Sequence, residues 1–217
     1  ETTNQIRKHA YQTPNYRIEE GVTMLDTPEG DLPIEIFGAH NLNNLSGAKW
    51  ICQHMGVDED DFYEAIATFK GASKRLEKIY ETTDTVIFKD FAHSPSKVAA
   101  TVKAVKEQYP NKELVACLEL HTYSSLNPEF LKEYKNSLDP ADIAVVFYSP
   151  EALKIKKLEM LSKDDILKAF GRQDLLVYTN AEEFQNYLRT LDFSEKAVLL
   201  MSSGNYGGLN FEEIKDW

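Results

Sequence analysis

The sequence has little positive charge, few cysteines and no long hydrophobic run, and each shortage argues against a class of protein. Its 217 residues include 24 Lys and Arg against 35 Asp and Glu, a net charge of −11, with no basic block. This charge disfavours nucleic acid and anionic membranes as partners. No apolar run approaches the roughly 18 residues that cross a bilayer. The polar N-terminus lacks the pattern of a signal peptide, so we expect a cytoplasmic protein.

The sequence also lacks the patterns of several common catalytic sites. No Ser-His-Asp or Cys-His nucleophile arrangement stands out, and no metal-ligand spacing either. The two cysteines, Cys52 and Cys117, are far apart and predict separate buried thiols of a reducing compartment, not a disulfide. The chain begins at Glu1 and its first methionine is Met24, so we expect it to be a piece of a longer protein.

The composition is that of a globular protein, with 42% apolar and 11% aromatic residues. The length allows one large domain or two small ones. From residue 85 onward, apolar runs alternate with amphipathic stretches, and continuous apolar runs are typical of strands covered on both faces. We therefore predict an α/β fold with a doubly wound, mainly parallel sheet. Its predicted strands are residues 86–88, 114–118, 143–147, 175–178 and 197–201.

The first 80 residues have a different pattern, which predicts a domain boundary near residue 80. Three short extended segments, residues 16–18, 22–25 and 33–37, precede two helices. The first helix starts at or just after His40 and ends at Gly56, and the second runs from Asp58 to Gly71. The residues predicted to face the core are Leu45, Ala48, Cys52 and Met55 in the first helix and Phe62, Ile66 and Phe69 in the second.

A polar cluster follows the predicted strand at residues 86–88. Asp90 and His93 come at its end, and Ser94 and Pro95 then open a helix as N-cap and first helical residue. Open α/β folds place ligand contacts at such strand ends. Asp90 could accept hydrogen bonds from ribose hydroxyls, and His93 could orient or protonate a ligand. The alternative interpretation is that Asp90 and Ser94 only cap the turn.

Two further motifs favour nucleotide binding. In G-A-H-N-L-N-N, residues 38–44, Asn41 and Asn44 point to one side of a helix, and an amide matches the edge of adenine. Alternatively, His40 and Asn41 only cap that helix. In G-A-S-K-R-L-E, residues 71–77, the cations after a glycine turn could bind phosphate or ribose, or could be solvated surface.

Two more motifs end predicted strands. E-L-H-T-Y-S-S, residues 119–125, places several polar side chains at the same sheet edge as His93, because parallel strands share their carboxyl side. S-S-G-N-Y-G-G, residues 202–208, ends the last strand, and its glycines allow close backbone approach. It is not G-x-G-x-x-G, so the dinucleotide interpretation is weak.

Together these motifs resemble those of the Mur ligases, the ATP-dependent amide ligases of peptidoglycan synthesis. The matching stretches are G-A-H-N-L-N-N, F-K-G-A-S-K-R-L-E, D-F-A-H-S-P and S-S-G-N-Y-G-G, in the family's order and at plausible spacing. The resemblance is greatest to the ligases that act on UDP-N-acetylmuramate. It implies that residues 1–81 are the tail of the central ATP-binding domain and residues 82–217 the Rossmann-like C-terminal domain.

The resemblance also implies roles for individual residues. ATP would be contacted by His40, Asn41, Asn44, Arg75, Asp90 and Phe91. Catalytic roles would fall to His93 and His121. The amine substrate would be bound by Thr122, Ser124, Ser125 and Asn205. Mg²⁺ is implied as a further cofactor, with ligands mostly outside this chain.

Departures from the family pattern narrow the prediction. The phosphate-cradling G-x-x-x-x-G-K-[ST] loop is missing, so this chain alone is expected to be inactive. Thr122 and Ser125 stand where the alanine-adding ligase usually has arginines, which favours the ligase that attaches L-Ala-γ-D-Glu-meso-diaminopimelate to UDP-N-acetylmuramate. Ser94 stands where a second histidine is common, so any role of that histidine does not transfer. The alternatives are the alanine-adding ligase, a folylpolyglutamate synthetase-like enzyme and a non-catalytic Rossmann-like binding module.

Overall fold

The computed structural model describes residues 8–217, apart from the side chains of residues 215 and 216. The chain divides into two compact units, with the boundary between Lys70 and Gly71. The first edge strand of the second unit, Glu77–Glu81, therefore precedes the boundary predicted between residues 81 and 82. The assignment of residues 1–81 and 82–217 to two family domains stays a prediction.

The first unit is a three-stranded antiparallel sheet with two helices. Its strands are β1, Tyr16–Glu19, β2, Val22–Thr27, and β3, Gly30–Ile34, in the order β1-β2-β3. The helices are α1, Ala39–His54, and α2, Glu59–Ala67, which Asp58 caps by accepting a hydrogen bond from the Asp61 amide. The core of this unit consists of Leu25, Ile34, Leu42, Leu45 and Phe62.

Several predictions for the first unit were wrong in detail. The third strand is Gly30–Ile34, not residues 33–37. Thr27 of β2 pairs with Gly30 of β3, so the turn between the strands has only two residues and β3 begins at Gly30. In α1 the buried residues are Leu42, Leu45 and Gly47, while Ala48 is exposed and Met55 is 79% exposed. Phe69 lies beyond the end of α2 and is 45% exposed.

The second unit is a six-stranded sheet in the order β4-β5-β9-β6-β7-β8. Strand β4 pairs antiparallel with β5, and the other neighbours are parallel. The strands are β4, Glu77–Glu81, β5, Val86–Asp90, β6, Glu113–Leu120, β7, Ile143–Tyr148, β8, Leu176–Tyr178, and β9, Lys196–Met201. The helices are α3, Pro95–Gln108, α4, Pro128–Leu131, α5, Pro150–Ile155, α6, Lys163–Phe170, and α7, Ala181–Thr190, with 3₁₀ turns at Lys132–Tyr134 and Phe211–Asp216.

Helices cover both faces of this sheet, which confirms the predicted doubly wound α/β fold. On one face Ile87 belongs to the core cluster that contains Phe184 and Leu188 of α7. The next residue along β5 points the opposite way, and the Phe88 ring lies 5.7 Å from the ring of Tyr109 at the end of α3. All five predicted parallel strands are present, and the apolar residues of the four inner ones, β5, β9, β6 and β7, are almost all buried.

Strand β4 was not predicted from the sequence. It is the antiparallel edge of the sheet, and charged residues occupy both of its ends, Glu77 and Glu81. Edge strands commonly carry charges that discourage pairing with other chains, and this obscures the apolar pattern on which strand prediction depends. The stretch between β6 and β7 contains only the short helix α4 and the 3₁₀ turn that follows it.

Both cysteines are free, as predicted. Cys117 is fully buried, and burial raises the pKa of its thiol. Cys52 is only half-buried, so that part of the prediction was wrong. Within residues 8–217, no helix is both long and apolar enough to cross a membrane.

Candidate functional site

Three neighbouring parallel strands of the second unit end at one sheet edge. The register pairs Asp90 of β5 with Met201 of β9, and Met201 with Leu118 of β6. The segments that follow these strands, residues 91–94, 202–208 and 121–125, therefore leave the sheet at the same edge. As in other open α/β sheets, this carboxyl edge is the place to look for a ligand site.

Asp90 joins the end of β5 to the loop before β4. Its side chain is buried, and its two oxygens accept hydrogen bonds from the backbone amides of Leu76, at 2.7 Å, and Ala92, at 2.6 Å. The Phe91 amide also donates to the Lys74 carbonyl, at 2.9 Å. Asp90 thus caps the turn, as the alternative interpretation of the sequence stated, and it holds the loop that carries Arg75.

Arg75 and Phe91 are adjacent at this edge. The guanidinium carbon of Arg75 lies 5.9 Å from the centre of the Phe91 ring, a cation–π distance. Arg75 is exposed and Phe91 is half-buried. An exposed guanidinium held over an aromatic face can offer hydrogen bonds to phosphate while the ring packs against an apolar group.

His93 packs beside Phe91, with the two ring centres 5.1 Å apart. Its Nδ1 lies 2.8 Å from the Phe91 carbonyl oxygen, which can only accept, so Nδ1 carries the hydrogen. Nε2 of the neutral ring is therefore an acceptor. The Tyr134 hydroxyl donates to the His93 carbonyl, and burial raises the pKa of Tyr134 to about 12. Ser94 is the N-cap of α3, but its side chain makes no capping hydrogen bond.

The segment after β6 contains a self-contained polar turn. The Thr122 hydroxyl donates to the Ser125 hydroxyl at 3.0 Å, and the Ser125 amide donates to the Thr122 hydroxyl at 3.1 Å. Ser125 is 1% exposed, whereas Ser124 is exposed. Of these residues, Ser124 is therefore the one whose side chain reaches the surface most directly.

Glu119 and the glycine turn after β9 form a buried hydrogen-bond network. Glu119 Oε2 accepts from the Ser202 hydroxyl and, at 2.8 Å, from the Tyr206 amide. The His121 side chain is 48% exposed, and its Nδ1 lies 3.7 Å from Glu119 Oε1. Asn205 is exposed, and its side-chain oxygen accepts from the Gly208 amide at 3.2 Å.

The remaining predicted residues belong to the first unit and lie at the start of α1. Asn41 donates from its side chain to the Phe37 carbonyl at 3.0 Å, while Asn44 is exposed and His40 is half-buried. The Asn41 amide is therefore engaged locally, but it does not cap the helix: the N-cap is Gly38 and no side chain caps α1, so the capping interpretation of His40 and Asn41 was wrong. Within the second unit, the structure brings Arg75, Asp90, Phe91 and His93 together, and it places His121, Thr122, Ser124, Ser125 and Asn205 at the same sheet edge.

The sequence motifs include Glu119 and Ser202 but give neither an individual role, and Tyr134 belongs to no motif. A detectable signal was present for Glu119, because it is a charged residue inside an apolar strand whose last seven residues are buried. Tyr134 and Ser202 gave no such signal, because their contacts join segments far apart in the sequence. Among the described residues, no group of three His, Cys, Asp or Glu side chains is placed to hold a metal ion.

Comparison with known proteins finds similarity to curated ligases. No protein-family model matches it. The UDP-N-acetylmuramate–L-alanine ligase of Desulfitobacterium hafniense is 26% identical over 194 residues, which is 86% of this chain and 43% of that protein. The chain spans about four tenths of the length of such curated relatives.

Two solved structures show the same fold. The UDP-N-acetylmuramate–alanine ligase of Thermotoga maritima has a TM-score of 0.68 and 19% identity, over 93% of this chain and 44% of that one. A murein peptide ligase from Psychrobacter arcticus has a TM-score of 0.54 and 21% identity, over 90% and 40%. At these identities the likeness establishes the fold, a mixed α/β unit with a mostly parallel six-stranded sheet.

Proposed function

We propose, from the premise that this chain is related to the C-terminal part of the Mur ligases, that it contributes to an ATP-dependent amide ligase of peptidoglycan synthesis or recycling. The ligase would join L-Ala-γ-D-Glu-meso-diaminopimelate to UDP-N-acetylmuramate. The observation that carries this proposal is the ordered set of four family motifs, three of which border the carboxyl edge of one sheet. Residues 1–81 would be the tail of the ATP-binding domain and residues 82–217 the C-terminal domain.

In the proposed reaction, the γ-phosphoryl group of ATP would be transferred to the substrate carboxylate, giving an acyl phosphate and ADP, and Mg²⁺ held by residues outside this chain would neutralise phosphate charge. The amine then attacks the carbonyl carbon, and phosphate leaves. The chain's own residues bind and position: Arg75 and Phe91 suit a phosphate and an apolar ring surface, at a cation–π distance of 5.9 Å from each other. Positioning and electrostatics carry most of such a phosphoryl transfer.

The other ATP contacts are proposed from the resemblance. His40, Asn41 and Asn44 would lie near adenine, and Asp90 would hold the ribose and phosphate region through the loop that it caps. The phosphate-cradling loop and the Mg²⁺ ligands would come from residues outside these 217. We therefore expect the chain by itself to be inactive and to bind ATP weakly.

The choice of peptide substrate depends on the segment after β6. Thr122 and Ser125 stand where the alanine-adding ligase usually carries arginines, and here their hydroxyls bond to each other at 3.0 Å. A hydroxyl pair cannot form the bidentate contact that an arginine offers to a free carboxylate. This favours a longer peptide over free L-alanine as the amine substrate.

The test is a substrate panel with the complete ligase that would contain this chain. With UDP-N-acetylmuramate and ATP present, we expect phosphate release with the tripeptide and little with L-alanine. Phosphate release with L-alanine alone would overturn the choice of peptide but leave the ligase class intact. Absence of release with every amine acceptor, in a protein shown to be folded, would contradict the ligase proposal.

A second candidate is the UDP-N-acetylmuramate–L-alanine ligase. It is favoured by curated relatives that carry that name, including one at 32% identity over 162 residues. The same panel distinguishes the two, because only the alanine-adding enzyme releases phosphate at low L-alanine concentration. A third candidate, a non-catalytic binding module, predicts tight ligand binding by the isolated chain, which calorimetry with ATP measures directly.

A further inference from the structure

The carboxylate of Glu119 is buried at the sheet edge where the proposed ligase would bind its amine substrate. The side chain is only 5% exposed. One oxygen, Oε2, receives two hydrogen bonds from the glycine turn after β9, from the Ser202 hydroxyl and the Tyr206 amide. A carboxylate this far from water is stable only when its oxygens meet donors or a cation.

The other oxygen of Glu119 faces the imidazole of His121. Oε1 lies 3.7 Å from Nδ1, too far for a hydrogen bond but close enough for the charge of the carboxylate to act on the ring. Glu119 forms no ion pair with a lysine or arginine among the side chains that the structure describes. Within that part of the chain, His121 is the group that can supply a compensating positive charge.

The glycine turn packs closely around this pair. A Cβ at Gly204 would lie 2.8 Å from Glu119 Oε2 and 3.1 Å from His121 Cγ. The Ser202 hydroxyl accepts from the Gly204 amide at 2.7 Å while it donates to Glu119. Backbone and carboxylate therefore surround one side of the imidazole and leave its other side exposed.

We propose that Glu119 is a positioning residue for His121 in the ligase reaction, an inference that rests on the proposed function. The negative charge of Glu119, 3.7 Å from Nδ1, favours the neutral tautomer that has its hydrogen on Nδ1 and the lone pair of Nε2 directed outward. As the amine nitrogen attacks the acyl phosphate, a C–N bond forms and the C–O bond to phosphate breaks. Phosphate leaves with that electron pair, the amine proton moves to His121 Nε2, and Glu119 stabilises the resulting imidazolium.

The test measures the ring tautomer of His121 in the 217-residue chain by ¹⁵N NMR, with no turnover required. We expect the wild-type ring, at a pH where it is neutral, to carry its hydrogen on Nδ1. In Glu119→Gln this preference is lost and the Nδ1 signal shifts towards that of an unprotonated nitrogen. If the wild-type ring carries its hydrogen on Nε2, the proposal is wrong. The wild-type measurement therefore tests the proposal even if the Glu119→Gln protein does not fold.

Glu113→Gln is the matched control, because Glu113 lies at the opposite end of the same strand and pairs with Lys196 at 2.7 Å. The His121 signals should be unchanged in this variant, and an equal shift in both variants would contradict the proposal. In the complete ligase, Glu119→Gln should lower kcat about 10²-fold, the usual scale of general-base catalysis, with the KM for ATP unchanged. Failure of the ligase assays would leave the tautomer result standing, so the two proposals fail separately.

Discussion

At the scale of single residues, the candidate side chains within each unit bond first to their local backbone. Asp90 caps two amides, His93 bonds to the carbonyl of Phe91, and Asn41 bonds to the carbonyl of Phe37. Such bonds fix side chains in one rotamer, which is a condition for precise ligand binding. Each of these residues can therefore stabilise the local backbone and also bind a ligand. The effect of a substitution on stability has to be measured separately from its effect on ligand binding.

Asp90→Ala is expected to lower the free energy of unfolding by about 3 kcal/mol, because each of two buried amides left without an acceptor costs about 1–3 kcal/mol. The amides are those of Leu76 and Ala92. Urea denaturation followed by circular dichroism measures this change.

Ser94→Ala is the control for Asp90→Ala, since the Ser94 side chain makes no capping hydrogen bond. Its effect should stay within about 0.5 kcal/mol, as for substitutions that remove no buried bond. An equally stable Asp90→Ala protein would show that the carboxylate does not hold the loop.

At the scale of secondary structure, a few side chains tie helices to strand ends. Asp142, just before β7, accepts from the Leu114 amide of β6 at 2.7 Å and from Lys106 of α3 at 2.6 Å. The Arg172 guanidinium donates to the Asp142 carbonyl at 3.1 Å. These bonds lie at the amino edge of the sheet, opposite the candidate site, so they stabilise the scaffold without touching the ligand edge.

The stability contribution of Asp142 should depend on pH. Burial by itself would raise the pKa of Asp142, but the hydrogen bonds from Lys106 and the Leu114 amide outweigh it and lower the pKa below 3.8. A lowered folded-state pKa means that the contribution is present above the unfolded value and is lost as the pH falls through the folded value. We expect Asp142→Asn to lower the free energy of unfolding by about 1 kcal/mol at pH 7, a figure reduced for its partial exposure.

That difference between wild type and Asp142→Asn should shrink when urea denaturation is repeated below pH 3.8. Asp139→Asn is the matched control, since Asp139 is exposed in the same connection and makes no side-chain bond to the described residues. It should change stability by less than about 0.5 kcal/mol at either pH. If Asp142→Asn lowers the free energy of unfolding equally at both pH values, the negative charge of Asp142 does not contribute to stability.

At the scale of the whole molecule, the chain consists of two units, each with its own hydrophobic core. The core of the first contains Leu25, Leu42 and Phe62, and that of the second contains Val115, Phe147 and Phe184 among others. A unit with a separate core can in principle fold alone. The division at residue 70 also keeps β4 and the amide of Leu76 with β5.

Residues 71–217 expressed alone should therefore unfold cooperatively in urea, with the well-dispersed amide spectrum of a folded protein. Residues 82–217, which begin at the boundary expected from the sequence, should be less stable. This fragment lacks β4, which pairs with β5. It also lacks the Leu76 amide, which donates a hydrogen bond to Asp90. Equal stability of the two fragments would show that β4 and the loop before it contribute nothing to the second unit.

The sequence by itself determined the parallel strands and the helices around them, because residues buried from both sides must be continuously apolar. It also placed His93, His121 and Asn205 at strand ends, since strand direction decides which residues share an edge. It did not reveal β4, whose charged residues suit an edge strand. It left open whether the Asp90 carboxylate is free for a ligand.

Only the tertiary structure decided which distant groups meet. The position of β9 between β5 and β6 brings the Ser202 turn against Glu119, 83 residues earlier in the chain. The Tyr134 hydroxyl donates to the His93 carbonyl, 41 residues earlier in the chain, and this contact also depends on how distant segments pack. Local patterns report burial and backbone preference, whereas the pairing of polar groups depends on strand order, and strand order is decided by the packing of the whole sheet.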